Sequence, residues 1–126
     1  MRNYLTEFIG TFFLVLTVGL TVTQGSQFAP LAIGASLMIM VYAGGDVSGG
    51  HYNPAVSLAA VLRGALPSNQ YLSYVVSQIL GAVAASLVTY LVMGKTFAPM
   101  PGEGHSAMRV QEPNGPVVCW DASKRP

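Results

Sequence analysis

Charged side chains are scarce in this 126-residue sequence. They make up 9% of the residues, whereas 52% are hydrophobic, and a soluble domain usually carries about 25% charged residues. The net charge of +1 offers no electrostatic footprint for a nucleic-acid partner. The single cysteine, Cys119, excludes an intrachain disulfide framework. These shortages argue against a soluble domain and in favour of a protein that lies in the lipid bilayer.

The few charges are placed so that two long runs, Phe8–Gly45 and Gly64–Gly94, have none. A transmembrane helix needs about 20 apolar residues to cross a hydrocarbon core of about 30 Å. The first run is long enough for two helices, because a polar stretch at residues 24–27 divides it. We therefore predict membrane spans over Tyr4–Thr23, Phe28–Gly44 and Tyr71–Met93. Gly44-Gly45-Asp46 is predicted to end the second span.

Between the second and third spans lies a stretch rich in residues that bend the backbone, Ser48-Gly49-Gly50-His51-Tyr52-Asn53-Pro54-Ala55-Val56. Asn53 suits an N-cap and Pro54 suits the first position of a helix. The helix predicted over Pro54–Arg63 would be about 15 Å long, half of the hydrocarbon core. The stretch is either a solvent turn before a surface helix or a re-entrant segment that stops inside the bilayer.

The re-entrant interpretation has a chemical consequence. Irregular backbone at membrane depth is tolerated only where it is buried in protein or lines a water-filled cavity. The half-helix would direct its free N–H groups and dipole at that cavity, and Asn53 would add amide donors without charge. Such a site suits water or a small polyol and repels cations. The residues by themselves leave both interpretations open.

The third span also predicts how it packs, and the residues after it differ in character. Small residues recur at every fourth position and predict one face for close helix packing; they are Ser73, Ser77, Gly81, Ala85 and Thr89. Residues 95–126 contain five of the eight prolines and most of the charges. We predict a membrane domain over residues 1–94 and a polar, proline-rich, solvated tail without a fold over residues 95–126.

Three motifs together resemble one family. Residues 48–56 resemble the first Asn-Pro-Ala signature of the aquaporin and glycerol-channel (major intrinsic protein) family. Glu7-Phe8-Ile9-Gly10-Thr11 resembles the Glu-x-x-Gly-Thr pattern of the family's first helix, and Gln78-Ile79-Leu80-Gly81-Ala82 resembles the Gln-x-x-Gly-Ala of its third. The likeness covers about residues 4–102, the N-terminal half of the family's fold. It implies an all-α membrane protein with three transmembrane helices plus one re-entrant half-helix, half of an inverted-repeat fold.

The resemblance also implies roles for the matching residues. Asn53 would donate to the permeating molecule, while Glu7 and Gln78 would support the re-entrant loop. The implied pore-lining positions are Gly49, Gly50, His51, Asn53, Pro54, Ala55 and Ile33. The last of these falls where the family's second helix contributes to a narrow filter. Strict water channels usually have Phe there, so the smaller Ile33 predicts a wider pore.

The function implied by the resemblance is a channel for water or small neutral solutes, including glycerol, in the cell (plasma) membrane. We expect no cofactor and no enzymatic activity, because no spacing typical of a nucleophile and its base or of metal ligands links the chain's reactive groups. The second Asn-Pro-Ala signature and the arginine that follows it in the family are missing, and Val110–Pro126 is polar where a fourth helix would follow. Two hypotheses remain: a half-channel that pairs with a second half, or a non-conducting truncated remnant or binding subunit.

The basic residues that flank the spans are evenly divided. Arg2 and Arg63 lie on one side, and Lys95 and Arg109 lie on the other, within the range of about 15–20 residues that influences orientation. This balance permits insertion in both directions and makes an antiparallel homodimer or a higher oligomer one hypothesis. The other hypothesis is that a truncated gene has lost the charges that completed its bias.

Overall fold

The computed structural model describes residues 1–94. It contains four helices: α1 (Arg2–Thr23), α2 (Ala29–Ser48), α3 (Pro54–Leu62) and α4 (Ser68–Met93). The helices α1, α2 and α4 are 22, 20 and 26 residues long and apolar enough to cross a membrane, while α3 has nine residues. Within the described residues the chain is thus all-helical, which confirms the predicted class. The predicted tail lies outside the described residues.

The core of the described part is polar and its surface is apolar. The largest fully buried side chains are Tyr74, Gln78, Glu7, Thr89 and Ser57. Large aliphatic side chains of the three long helices point outwards; Leu31, for example, is 72% exposed. Lipid tails are as apolar as these side chains and can surround them at no cost, so packing between the helices depends on close approach and hydrogen bonds instead.

Helix α1 contacts α2 and α4, and α4 also contacts α3. The approach of α4 to α1 is close because Gly81 has no side chain. A Cβ atom at that position would overlap the carbonyl oxygen of Phe8 and would lie 3.2 Å from the backbone nitrogen of Phe12. Towards the other end of the same contact, Gly19 of α1 lies against Thr89 of α4. Small residues on both helices therefore fix their separation.

The buried face of α4 differs partly from the predicted stripe. Its members Gly81, Ala85 and Thr89 are buried, but Ser73 is exposed, and the buried face continues through Tyr74 and Gln78 instead. On a helix with 3.6 residues per turn, a constant spacing of four drifts by about 40° at each step. The observed series mixes spacings of three and four and so stays on one side of the helix.

Helix α2 extends further than predicted. Gly44-Gly45-Asp46 lies inside the helix, which ends at Ser48 because Gly49 adopts the left-handed conformation, with a φ of 91°. A glycine in a helix interior costs about 1 kcal/mol relative to alanine. Gly44 is nevertheless needed, because a Cβ atom there would overlap the Tyr52 hydroxyl. The prediction was wrong because it treated a packing glycine as a helix stop.

The ends of α1 and α4 and the start of α3 lie where predicted, and apart from the end of α2 the remaining boundaries differ by one to three residues. Helix α3 ends at Leu62 rather than Arg63, which is its C-cap. Helix α4 begins at Ser68, directly after Pro67, and α1 begins at Arg2. The length of α3 is then about 13 Å, so it remains too short to cross a hydrocarbon core of about 30 Å.

Candidate functional site

The five residues from Gly49 to Asn53 connect α2 to α3 through irregular backbone. Gly49 and Gly50 have φ values of 91° and 64°, in the left-handed region that glycine adopts readily. Tyr52 shares this conformation, with a φ of 48°, which is uncommon for a residue with a side chain. Because of this curled backbone, the N–H groups of His51 and Tyr52 both point towards α1.

Glu7 of α1 anchors this loop. Its side chain is fully buried, and its carboxylate accepts four hydrogen bonds. Oε1 accepts from Ser48 Oγ at 2.6 Å and from the His51 N–H at 3.0 Å, while Oε2 accepts from the Tyr52 N–H and from Gln78 Nε2, each at 2.7 Å. Hydrogen bonds to a charged group contribute about 1.5–3 kcal/mol each. One side chain thus connects α1, the end of α2, the loop and α4.

Tyr52 fixes the loop through its side chain, which is only 3% exposed. Its ring lies against Gly10 and Gly44, where Cβ atoms would overlap ring atoms and the hydroxyl, respectively. The hydroxyl donates a hydrogen bond to the carbonyl oxygen of Met40 at 2.7 Å. These contacts hold the residue immediately before Asn53 between α1 and α2.

We expect Tyr52→Phe to lower the free energy of unfolding by about 0.5–1.5 kcal/mol, because the ring contacts remain and only the hydrogen bond to Met40 is lost. Thermal unfolding in detergent micelles measures this change. Tyr42→Phe is the matched control, since Tyr42 is 91% exposed and its variant should unfold like the parent chain. Equal shifts in the two variants would contradict the role of the Tyr52 hydroxyl.

Asn53 ends the loop and caps α3. Its Oδ1 accepts a hydrogen bond from the Ala55 N–H at 2.8 Å, and its backbone is extended, as is usual at an N-cap. Because the cap uses the amide oxygen, the Nδ2 hydrogens remain as donors at an exposed side chain. The first N–H groups and the dipole of α3 add positive potential at the same place. The tip of α3 is therefore a hydrogen-bond donor site without a formal charge.

Two cavities lie beside the loop and α3. The vestibule, of about 610 Å³, is bounded by α3, α4 and the end of α2; its polar lining includes Asn3, His51, Arg63, Gln70 and Tyr74. The tip groove, of about 260 Å³, lies between α1 and α4 and is lined mainly by apolar side chains, with Asn53 and Pro54 among the residues that line it. The loop thus contributes to a cavity of mixed polarity through Gly49 and His51 and to a mainly apolar one through Tyr52 and Asn53.

The predicted pore-lining residues are distributed unevenly over these cavities. Gly49 and His51 line the vestibule, Asn53 and Pro54 line the tip groove, and the exposed Ala55 follows them in the first turn of α3. Two others lie elsewhere. Gly50 packs against α2 near Gly45. Ile33 lies about 22 Å along α2 from Ser48 and is not among the residues that line either cavity.

The motifs did not identify Ser57 and Tyr74 as site residues. Ser57 is fully buried, and its Oγ lies 2.9 Å from Gln78 Nε2 and 3.2 Å from His51 Nδ1. The Tyr74 hydroxyl donates to the carbonyl oxygen of Ser48 at 2.9 Å. The available signal was periodicity: Ser57 follows Asn53 by four residues and Tyr74 precedes Gln78 by four, so each lies one helical turn from a motif residue.

Two buried polar atoms, Thr11 Oγ1 and Gln78 Oε1, have no hydrogen-bond partner within the part of the chain that the structure describes. Both residues line the tip groove.

Residues 1–94 contain no group of three His, Cys, Asp or Glu side chains that could hold a metal ion.

Comparison with known proteins decides the family. The family model described as "Major intrinsic protein" matches residues 1–117. The chain belongs to the major intrinsic protein family. This result confirms the family resemblance of the three motifs. With its three span-length helices, this major intrinsic protein chain is an integral membrane protein.

Individual relatives of this major intrinsic protein chain carry channel names. It is 35% identical over 117 residues to glycerol uptake facilitator protein-like 6 of Lactiplantibacillus plantarum, an alignment that covers 82% of this chain and 54% of the relative. It is 39% identical over 95 residues to aquaporin Z of Brucella melitensis, covering 68% and 42%. It is 38% identical over 123 residues to aquaporin NIP1-4 of Oryza sativa subsp. japonica, covering 89% and 45%. The chain spans about half the length of the curated relatives it matches.

Proposed function

We propose that this chain supplies one half of a channel for water and small neutral solutes, including glycerol, in the cell membrane. The observation that carries the proposal is the anchored tip. Asn53 offers amide donors at the N-terminus of α3, and two backbone N–H groups of the loop before it donate to Glu7, which also accepts from the end of α2 and from α4. Donors without net charge favour solutes with lone pairs and disfavour cations. Relatives named as aquaporins and as a glycerol uptake facilitator support this solute class.

The length of α3 supports a pore that is completed by a second half. A helix of about 13 Å that starts near the bilayer centre reaches only one surface, so a second tip must line the other half of the path. We propose that this tip enters from the opposite side, lies in the apolar tip groove and meets Pro54 and Ala55. In an antiparallel homodimer, a second copy of this chain would supply the second tip. The even distribution of basic residues permits both orientations.

Osmotic swelling of vesicles that contain only this chain tests conduction. We expect the vesicles to swell faster than protein-free vesicles after a shift into glycerol or a hypotonic buffer. Unchanged swelling at confirmed insertion would refute the proposal and favour a non-conducting remnant or binding subunit. A membrane-impermeant thiol probe on Cys119, the single cysteine, tests the dimer in the same vesicles, because labelling from one side only excludes the antiparallel arrangement.

We expect Asn53→Asp to weaken the exclusion of cations. Aspartate caps a helix as well as asparagine does, so α3 should persist, but the tip loses its amide donors and gains a negative charge. Sodium flux into vesicles should rise several-fold. Asn69→Asp is the matched control, because it places the same charge on an exposed residue in the first turn of α4. Equal sodium fluxes in the two variants would contradict the role of the tip.

A further inference from the structure

A chain of hydrogen bonds leads from the loop anchor to the vestibule. Gln78 Nε2 lies 2.7 Å from Glu7 Oε2 and 2.9 Å from Ser57 Oγ, and that hydroxyl lies 3.2 Å from His51 Nδ1. Ser57 and Glu7 are fully buried and Gln78 is 1% exposed, so solvent does not satisfy the links between them. The direction of each bond can therefore be assigned from the carboxylate outwards.

The Glu7 carboxylate fixes the orientation of the Gln78 amide. The Glu7 carboxylate already accepts from two backbone N–H groups and a hydroxyl, so it acts as an acceptor towards Gln78 as well. The group that faces it is then the NH₂ and not the carbonyl oxygen, which would repel it. The second hydrogen of this NH₂ points to Ser57 Oγ. Ser57 is thus an acceptor in its bond with Gln78.

The two hydrogen-bond partners of Ser57 Oγ determine the direction of its hydroxyl. A serine hydroxyl has one hydrogen to donate besides its lone pairs. Ser77 and Ser86 donate theirs to the carbonyl oxygen four residues earlier. Within the described residues, the hydrogen-bond partners of Ser57 Oγ are Gln78 Nε2, which donates to it, and His51 Nδ1 at 3.2 Å. If Nδ1 carried a hydrogen, two hydrogens would face each other or the buried Ser57 hydroxyl would have no acceptor, which is unfavourable. Nδ1 must therefore be the acceptor.

We infer that the chain Glu7–Gln78–Ser57 holds His51 as the neutral tautomer that carries its hydrogen on Nε2. The ring is also packed against Tyr74, with 5.4 Å between the ring centroids. Nε2 is close to Gly49, where a Cβ atom would lie 2.9 Å from it, and both residues line the vestibule. His51 is therefore a positioned N–H donor at the wall of the vestibule.

The role of this tautomer in transport rests on the proposed channel function, which it makes more specific. His51 Nε2 at the vestibule and Asn53 Nδ2 at the tip groove are then both donors along the proposed channel, so a solute that passes both must offer lone pairs at two successive points. Water and polyols do so, whereas a cation or a solute with only donor groups does not. The buried hydrogen-bond chain thus makes His51 a specificity-determining residue, with Ser57 as its positioning residue.

Nuclear magnetic resonance of ¹⁵N-histidine in the full chain tests the tautomer. The sequence contains two histidines, so His105→Gln leaves His51 as the only signal. At the alkaline end of a pH titration, where imidazole is neutral, two-bond ¹H–¹⁵N correlations should show an unprotonated Nδ1 and a protonated Nε2. A protonated Nδ1, or an even mixture of tautomers, would overturn the assignment.

Variants of Ser57 test whether the hydrogen-bond chain Glu7–Gln78–Ser57, here called the relay, sets the tautomer of His51. Ser57→Ala removes the donor to Nδ1 and should raise the Nδ1–H population of His51 several-fold, and Ser57→Thr, which keeps the hydroxyl, should restore the parental pattern. An unchanged tautomer in Ser57→Ala would overturn the relay. If Ser57→Ala does not fold, Ser57→Thr decides by itself: loss of the parental tautomer pattern in Ser57→Thr would refute the role of the hydroxyl. The spectra need no transport. If the spectra show the expected tautomer but the vesicles do not swell, only the channel is refuted. If the vesicles swell but the tautomer differs, only the relay is refuted.

Discussion

Glu7→Gln is expected to lower the free energy of unfolding by about 3–6 kcal/mol, because two of the four hydrogen bonds to the carboxylate lose their acceptor. An amide at this position has one oxygen and one NH₂ group. In one orientation the NH₂ faces the donors Tyr52 N–H and Gln78 Nε2; in the other it faces Ser48 Oγ and the His51 N–H. Either orientation leaves buried donors unpaired and releases the loop before Asn53.

Titration of the detergent-solubilised chain with sodium dodecyl sulfate measures this loss through its helical circular dichroism. Asp46→Asn is the matched control: it makes the same change from acid to amide at an exposed residue of α2, where surface substitutions usually stay within about 0.5 kcal/mol. If both variants unfold at the same detergent fraction, the carboxylate is not the anchor of the loop.

Gly81→Ala is expected to have the second largest effect, a destabilisation of about 1–3 kcal/mol from overpacking. The new methyl group would overlap the carbonyl oxygen of Phe8 and would lie 3.3 Å from its carbonyl carbon. These are backbone atoms, so α1 must move as a whole and cannot simply rotate a side chain away. Because Phe8 follows Glu7 directly, the displacement should also lengthen the hydrogen bonds of the anchor.

Gly34→Ala separates this steric effect from the general effect of removing a helical glycine. A Cβ atom on Gly34 meets no atom within 4 Å, so the variant should be neutral or more stable by up to about 1 kcal/mol. Both variants can be compared in the same unfolding titration. A Gly81→Ala chain as stable as Gly34→Ala would show that the α1–α4 separation does not depend on Gly81.

Much of the fold could be predicted because its signals are local. The charge-free runs indicate three spans, and Asn53-Pro54 indicates the start of α3 at the residue where the structure has it. The end of α2 was predicted too early, because only the tertiary contact with Tyr52 explains a glycine inside that helix. Local signals indicate where backbone can bend, but not which glycine makes room for a neighbouring side chain.

The site could be predicted only as far as the motifs reach. The resemblance singled out Glu7 and Gln78, and the structure places them 2.7 Å apart. Ser57 and Tyr74 were missed because many polar residues interrupt apolar helices, and sequence alone does not tell which of them turn inwards. For Tyr74 that choice depends on how α4 packs against α1, and for Ser57 on how α3 packs against α4.

The depth of the α3 tip in the bilayer distinguishes a re-entrant half-helix from a surface helix. The sequence left a surface helix and a re-entrant half-helix as alternatives, and a buried carboxylate that binds the loop favours the second. Ala55 is exposed at the tip, and Leu62, at the other end of α3, is 80% exposed. Each can carry a spin label as a single cysteine in a Cys119→Ser background.

Relaxation enhancement by gadolinium chelated to lipid head groups measures the depth of these labels, because it acts through space and does not require contact. For Ala55→Cys we predict a weak enhancement that is equal from the two leaflets, as expected for a label about 15 Å from each surface of the core. For Leu62→Cys we predict a strong enhancement, because each label lies near a membrane surface; in the proposed antiparallel dimer it arises from both leaflets. A strong enhancement at Ala55→Cys would contradict the re-entrant position of α3, because it would place this helix on the membrane surface.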